Sequence, residues 1–290
     1  MTPRNTLAPA ALAAALIAAA PAGPVAAAPA GRTGLVKVAY DPPKDPKHKP
    51  LYDHLRERKL LETFADVLGT IRLPRALTLK FAGCDGESNA WYEESDQTVT
   101  FCYEFVADFD RAAEGAAKYG IPRDDAIDGP VAFVLLHECG HALFDLLQVP
   151  VLGREEDAAD HVAAYILLRA GSGVARRSLR GAAWMYKHDA SARALDQSDF
   201  SDVHGLDAQR LYNVLCMAYG SDPAAYAPLV EKGYLPKDRA EGCDGEYEQV
   251  RFAVQTLVSK SLDPKAVQKT RERHFHKWEA PAAAKPTKAE

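Results

Sequence analysis

FVLLHECGHALFDLLQVPVLGREEDAAD, Phe133 to Asp160, decides how the rest of the chain is read. Within it, His137-Glu138-Cys139-Gly140-His141 forms an H-E-x-x-H motif inside a run that the spacing predicts as one helix from about Gly129 to Gln148. Asp128 stands where it can cap that helix, with Pro130 in the first turn. Residues four apart share a helix face, so both imidazoles can address one metal ion while Glu138 lies about 100° round the axis. Apolar residues nearly encircle the helix (Val131, Phe133, Val134, Leu135, Leu136, Leu143, Phe144, Leu146, Leu147), which implies a buried element. Two imidazoles and a carboxylate in such an interior are costly to desolvate. The plain alternative is a pair of helix histidines satisfied by hydrogen bonds; a metal ion accounts for all three groups at once.

Downstream, Gly153-Arg154-Glu155-Glu156-Asp157-Ala158-Ala159-Asp160 opens a second helix, expected to run to about Leu168. Val149 to Gly153 is long enough to reverse the chain and return these carboxylates towards the histidines. Glu156 and Asp160 are four apart and share a face, which suits one ligand and one group that orients a ligand.

The chain has 290 residues, 47% hydrophobic and 26% charged, enough for a full core in one large domain. A net charge of -5 and no basic patch interleaved with aromatics argue against a nucleic-acid partner. The first thirty residues differ from the rest. Arg4 precedes an alanine-rich apolar run, Leu7 to Ala20, and A-x-A-like cleavage sites follow at Val25-Ala26-Ala27 and Ala28-Pro29-Ala30. Residues 1–30 therefore read as a secretory signal peptide, too short in its apolar run to span a bilayer. No later stretch approaches about eighteen apolar residues. The expectation is an exported protein, periplasmic or secreted, with no stable membrane anchor after cleavage.

Export gives the cysteines meaning. There are five, so at least one is unpaired within the chain. Cys139 is turned about 200° from both motif histidines and reads as a buried thiol. The other four allow three connectivities. Cys84–Cys102 would staple a local hairpin, and Cys216–Cys243 would tie two late helices.

In chain order, Leu35–Tyr40 reads as a strand and Leu51–Leu68 as a helix. Leu77–Ala82, Asn89–Tyr92 and Thr98–Phe105 follow as a small antiparallel meander, and Phe105–Tyr119 as a helix. Beyond the motif, helices are expected at about Val174–Ala194, Leu206–Tyr219, Pro223–Lys232 and Gly242–Ser259. The expected class is α+β, with a small antiparallel sheet packed on the buried motif helix and a mostly helical C-terminal half. This order is the general layout of a zincin. Domain organisation is expected to be a signal peptide over 1–30, one domain over 31–268 and a disordered tail over 269–290.

Three segments, CDGESNAWYEESDQTVTFCYE, the stretch quoted above and SDVHGLDAQRLYNVLCMAYGSDP, together resemble a bacterial domain-of-unknown-function family of exported metallopeptidases. The resemblance spans about Lys37 to Leu262. It is similar in turn to gluzincins, in which H-E-x-x-H is completed by a glutamate in an E-x-x-x-D segment, here Glu156-Asp157-Ala158-Ala159-Asp160. The resemblance implies His137, His141 and Glu156 as ligands of one zinc ion per chain, Glu138 as catalytic base, and Asp160 as the carboxylate orienting a ligand histidine. Glu155, Asp160 and His161 stay open as alternative third ligands. The metzincin continuation is absent, because Phe144 and Leu147 stand at its glycine and final histidine.

Three protein ligands would leave a fourth position for water, whose pKa zinc lowers to about 7, with Glu138 in reach of its proton. His204, in Asp202-Val203-His204-Gly205-Leu206-Asp207, is the candidate second electrophile, with Asp202 or Asp207 setting its tautomer. The alternative is a solvated His204 beside a helix capped by Asp207. Tyr212 and Arg210, next on that helix, are weaker candidates for the same role and read instead as core and surface residues. The strand Thr98–Phe105 or the Asn89–Tyr92 segment could offer an edge to an extended peptide, with Asn89 and Tyr92 at the contact; ordinary pairing with Trp91 in the core competes. The expected function is zinc-dependent hydrolysis of a peptide or protein substrate. A non-catalytic zinc-scaffold binding or regulatory protein competes, as does a zinc hydrolase of a non-protein amide. The oligomeric state is left open.

Overall fold

A computed structural model describes residues 31–192 and 194–274. The expected signal peptide and the segment beyond residue 274 lie outside the described residues. Four strands form one sheet: β1 (Val36–Tyr40), β2 (Leu77–Ala82), β3 (Ala90–Glu93) and β4 (Thr98–Cys102). Their order is β1-β2-β4-β3. β1 pairs with β2 in parallel, β2 with β4 in parallel, and only β3 with β4 is antiparallel.

The sheet is therefore mixed, where the sequence reading expected an antiparallel meander. Consecutive strands are usually neighbours, but not always. After β2 the chain crosses to the outer edge, forms β3, and returns as β4 between β3 and β2. The Cys84–Cys102 disulfide accordingly joins the segment after β2 to the end of its parallel neighbour, not the two arms of a hairpin. β4 ends earlier than expected, because Tyr103 already begins a helix.

The helices before the motif are α1 (Lys49–Glu57), α2 (Leu60–Leu68) and α3 (Tyr103–Ala112), the last continued as a 3-10 helix over Ala113–Tyr119. The single helix expected over Leu51–Leu68 is two, broken at Lys59, whose φ of 50° no helix accommodates. The motif helix α4 runs Arg123–Leu147. It begins more than a turn before the expected start, with Asp124 and Asp125 favourable at its positive end. Asp128 is thus inside the helix and not its cap; it ion-pairs with Arg58. Pro130 is also internal and forgoes the bond to the carbonyl four residues back. Burial along α4 outweighs that loss. By length and composition α4 could cross a membrane, but most of it is enclosed by the sheet and by other helices.

Around α4 pack α5 (Glu155–Arg169) and α6 (Ser172–Ala190), followed by α7 (Gln197–Ser201), α8 (Asp207–Ser221), α9 (Ala227–Glu231), α10 (Lys237–Ala240), α11 (Cys243–Leu257) and α12 (Pro264–His274). The fold is α+β and mostly helical. α12 carries the chain past Lys269, into the segment expected to be a disordered tail. Thr270 and Arg273 bond to Asp66 on α2, contacts far apart in sequence that no local pattern announces.

Two close approaches set the geometry that matters. A Cβ on Gly140 would lie 3.1 Å from the Ala159 Cα, so α5 runs against α4 at the motif. A Cβ on Gly181 would lie 2.0 Å from the Asp125 carbonyl oxygen, so α6 crosses α4 nearer its start.

Candidate metal centre

α4 places His137 and His141 one turn apart, with Nε2 atoms 3.2 Å from each other. The approach at Gly140 brings the first turn of α5 over them. Glu156 Oε2 then lies 3.1 Å from His137 Nε2 and 3.4 Å from His141 Nε2. From the loop before α8, His204 Nε2 reaches the same oxygen at 2.9 Å. Donors about 2 Å from a common zinc ion in tetrahedral array stand about 3.3 Å apart, so the spacings among His137, His141 and Glu156 fit one small cation. Among the described residues a second cluster of metal-binding residue types, Cys84, Cys102 and Glu104, commits both sulfurs to a disulfide.

Each imidazole is held from behind. His137 Nδ1 is 2.8 Å from Asp160 Oδ1, and His141 Nδ1 is 2.8 Å from Glu155 Oε1. His204 Nδ1 is 2.9 Å from Asp202 Oδ1, which also accepts the His204 backbone N–H at 2.8 Å. A carboxylate on Nδ1 fixes that nitrogen as the donor and leaves Nε2 for a metal. Among the four acidic or imidazole candidates for the third ligand, Glu156 meets both Nε2 atoms. Glu155 and Asp160 sit on Nδ1 atoms instead. His161 has Asp160, Asp157, Glu246 and Arg239 as its charged neighbours.

The family model of DUF4344, described as putative metallopeptidase, matches residues 40–258. The chain belongs to this family. No curated protein and no solved structure matches it.

In this DUF4344 member, the electrostatics follow from the packing. Burial would raise the Asp160 carboxyl, but bonds from Arg210 and His137 prevail and hold it well below the usual carboxylate range. Burial would likewise lower His141, yet its bonds to Glu156 and Glu155 push it up to about 9. His137 is raised for the same reason, against its own burial, by Asp160 and Glu156. Glu138 is buried, and that burial raises its carboxyl; the two motif imidazoles and a bond from the Tyr92 backbone oppose it. The Tyr92 bond connects the general-base candidate directly to β3.

The role of Arg210 is one that sequence reasoning missed. The sequence offers it as a weaker candidate for the second electrophile and otherwise as a surface residue, whereas it is largely buried against Asp160. In the structure Arg210 Nε donates to Asp160 Oδ2 and Nη2 to Asp160 Oδ1, both at 2.8 Å, and its guanidinium lies 4.7 Å from the centre of the Tyr186 ring. Tyr186 also donates to Asp160 Oδ1 at 3.3 Å. The available signal was its place six residues after His204 on the face that returns to α5, but nothing local said what it would meet.

The site opens on a cavity of about 1110 Å³. β3 forms one wall, with Asn89, Trp91 and Tyr92; Trp91 lines the cavity and is only partly buried, so the expectation of a core tryptophan does not hold. Tyr92 donates to Asp145 Oδ2 at 2.7 Å, and Arg75 donates to the same oxygen at 3.0 Å. Tyr212 is exposed and outside the cavity, so it is neither the core residue expected nor placed to act as an electrophile there. Cys139 is fully buried and unpaired, and burial pushes its thiol far up, as a core residue requires. Cys216 and Cys243 pair with each other, tying α8 to α11.

Proposed function

We propose that this protein is a zinc-dependent peptidase in which His137, His141 and Glu156 hold one metal ion and Glu138 is the general base. The observation that carries the reading is the position of Glu156, within 3.1 and 3.4 Å of the two motif Nε2 atoms, with buried Glu138 beside them on the wall of a large cavity. When bound, zinc supplies a Lewis acid for the scissile carbonyl and makes water a nucleophile near neutral pH. The Glu138 carboxylate takes the proton of the attacking water and passes it to the leaving amine nitrogen. Burial raises the Glu138 carboxyl, which makes it a stronger base than a solvated carboxylate. His204 faces the same point and can stabilise the carbonyl oxygen as negative charge grows on it. Asp160, gripped by Arg210, holds the His137 ring.

β3 is an edge strand, paired only with β4, and it borders the cavity. An extended peptide added to that edge would run beside Glu138, which takes a bond from the Tyr92 backbone. The two disulfides suit an oxidising compartment, in keeping with the leader at 1–30 and with export to the periplasm or beyond.

Glu138→Gln is the test. The variant should retain one zinc per chain and lose at least about a hundredfold in peptide hydrolysis, the usual range for removing a general base. Cleavage of a peptide library at the parent rate by the zinc-loaded variant would remove Glu138 from the mechanism.

A further inference from the structure

The face of α4 that carries the metal centre continues beyond it. His141, Glu138, His137 and Val134 line the catalytic cavity. One and two turns further back, Pro130 and Ala126 line a second cavity, of about 460 Å³. Residues three or four apart share a helix face, so both cavities stand over one floor. Phe105, Met185 and Asp189 line both and mark where they meet. The segment of β3 follows the same floor. Tyr92 bonds to Asp145 beside the motif, and Ser88, just before the strand, donates to Asp108 Oδ2 at 2.6 Å on the wall of the second cavity. The groove therefore extends past the metal centre along the line on which β3 would hold an extended peptide.

The second cavity suits a large apolar side chain. Phe105 and Phe109 of α3 contribute rings with centres 4.5 Å apart, and α6 contributes Trp184 and Met185. The charged groups on its rim are engaged already, Asp108 with Arg111 and Asp189 with His188 Nδ1 at 3.0 Å. Its volume lies within the range of about 300–1,000 Å³ found for small-ligand pockets, which leaves room for an aromatic ring. We propose that it is a remote subsite of the peptidase, taking a phenylalanine-, tryptophan- or leucine-like side chain about three to four residues from the cleaved bond. The inference rests on the peptidase reading above and names a substrate class for it: extended chains with an apolar anchor at that distance. The distance follows from the helix. Glu138 and Pro130 are eight residues apart. That is about 12 Å along α4 at ~1.5 Å per residue, which an extended peptide at ~3.3 Å per residue covers in about three to four steps. A contact so far from the reacting atoms acts by holding the segment in register, and a shorter peptide forgoes it.

The experiment is a comparison of kcat/KM values with the zinc-loaded full-length chain. A peptide cleaved from a random library is extended on each side of the cleaved bond in turn, with either Phe or Gly about three and four residues away. On one side only, Phe should raise kcat/KM at least about tenfold over Gly, the scale expected for burying one such side chain. Ala112, at the end of α3, lines the second cavity and not the catalytic one, so Ala112→Trp fills the subsite without touching the metal centre. That variant should cleave the Gly peptides at the parent rate and lose the preference for Phe. Equal rates for Phe and Gly on both sides in the parent would overturn the subsite and leave the peptidase reading standing, whether or not the variant folds. Retention of the full preference in Ala112→Trp would overturn it too. A zinc-loaded parent that cleaves no library peptide would overturn both readings.

Discussion

Arg210 governs His137 through Asp160. Its side chain is only 14% exposed and its two bonds to Asp160 are of the fork-on-carboxylate kind that lysine cannot reproduce. Removing the guanidinium leaves a buried carboxylate without its counter-charge, which typically costs about 3–5 kcal/mol. Arg210→Met should lose stability on that scale in urea unfolding, and zinc affinity, read against a competing chelator, should drop about 10–100-fold. Arg210→Lys should recover part of the stability and less of the affinity, because charge returns without the fork. Affinity unchanged in both variants would mean that something other than Asp160 orients His137.

His161, on the opposite side of α5, makes a pH prediction. Burial lowers it; Asp160 and Asp157 on its own helix and Glu246 on α11 oppose that, while Arg239 on α10 adds to it. With its folded value depressed, the unfolded chain takes the proton first as pH falls. Neutral His161 therefore contributes stability above the ordinary histidine value of about 6.5, and that contribution is lost as pH drops from there towards the depressed value. Urea midpoints measured from pH 8 to 5 should fall less in His161→Gln than in the parent; equal slopes would remove His161 as a source of acid sensitivity.

Among elements, the contacts of α4 with α5 and α6 do different jobs. At Gly140 an added methyl would meet the Ala159 Cα and Cβ at 3.1 and 3.2 Å, and a slight separation of the helices could absorb it. At Gly181 it would meet the Asp125 carbonyl oxygen at 2.0 Å and the Gly129 Cα at 2.8 Å, both backbone. Overpacking usually costs about 1–3 kcal/mol. Gly140→Ala should fall at the low end of that range yet weaken zinc binding, since it moves α5 and Glu156 away from the imidazoles. Gly181→Ala should fall at the high end or beyond, with the metal site affected only through overall stability. Chemical denaturation and zinc titration of the same two variants separate these effects, and equal losses of zinc affinity would contradict the division.

For the molecule as a whole, three cross-links act on parts that are remote in sequence. The disulfides close loops of 18 and 27 residues, each worth about 3 kcal/mol on the loop-entropy estimate. The proposed metal would join α4 and α5. Zinc at about a hundred times its dissociation constant should stabilise the fold by about 2.7 kcal/mol, and a chelator should lower the melting temperature correspondingly. Cys139 should remain unreactive towards thiol reagents until the chain unfolds. Reaction at the rate of an exposed thiol in the native protein would contradict its burial.

What the sequence determined by itself was local and periodic. The four-residue spacing of His137 and His141, the apolar girdle of α4, the helix beginning near Glu155 and the identity of the thiol left unpaired all follow from helical geometry and composition. What only the tertiary structure decided was non-local. The strand order, with β4 inserted between β2 and β3, depends on which partner completes a ladder. The extra turn at the start of α4 depends on the packing of α6 against it. The end of α12 depends on Asp66, and the burial of Arg210 on a carboxylate fifty residues earlier. His204 was found in the sequence as a histidine near the site, but its distance from Glu156 is set by how a surface loop lies across two helices. Spacing along a chain fixes which face a side chain occupies; only the folded packing fixes what waits on that face.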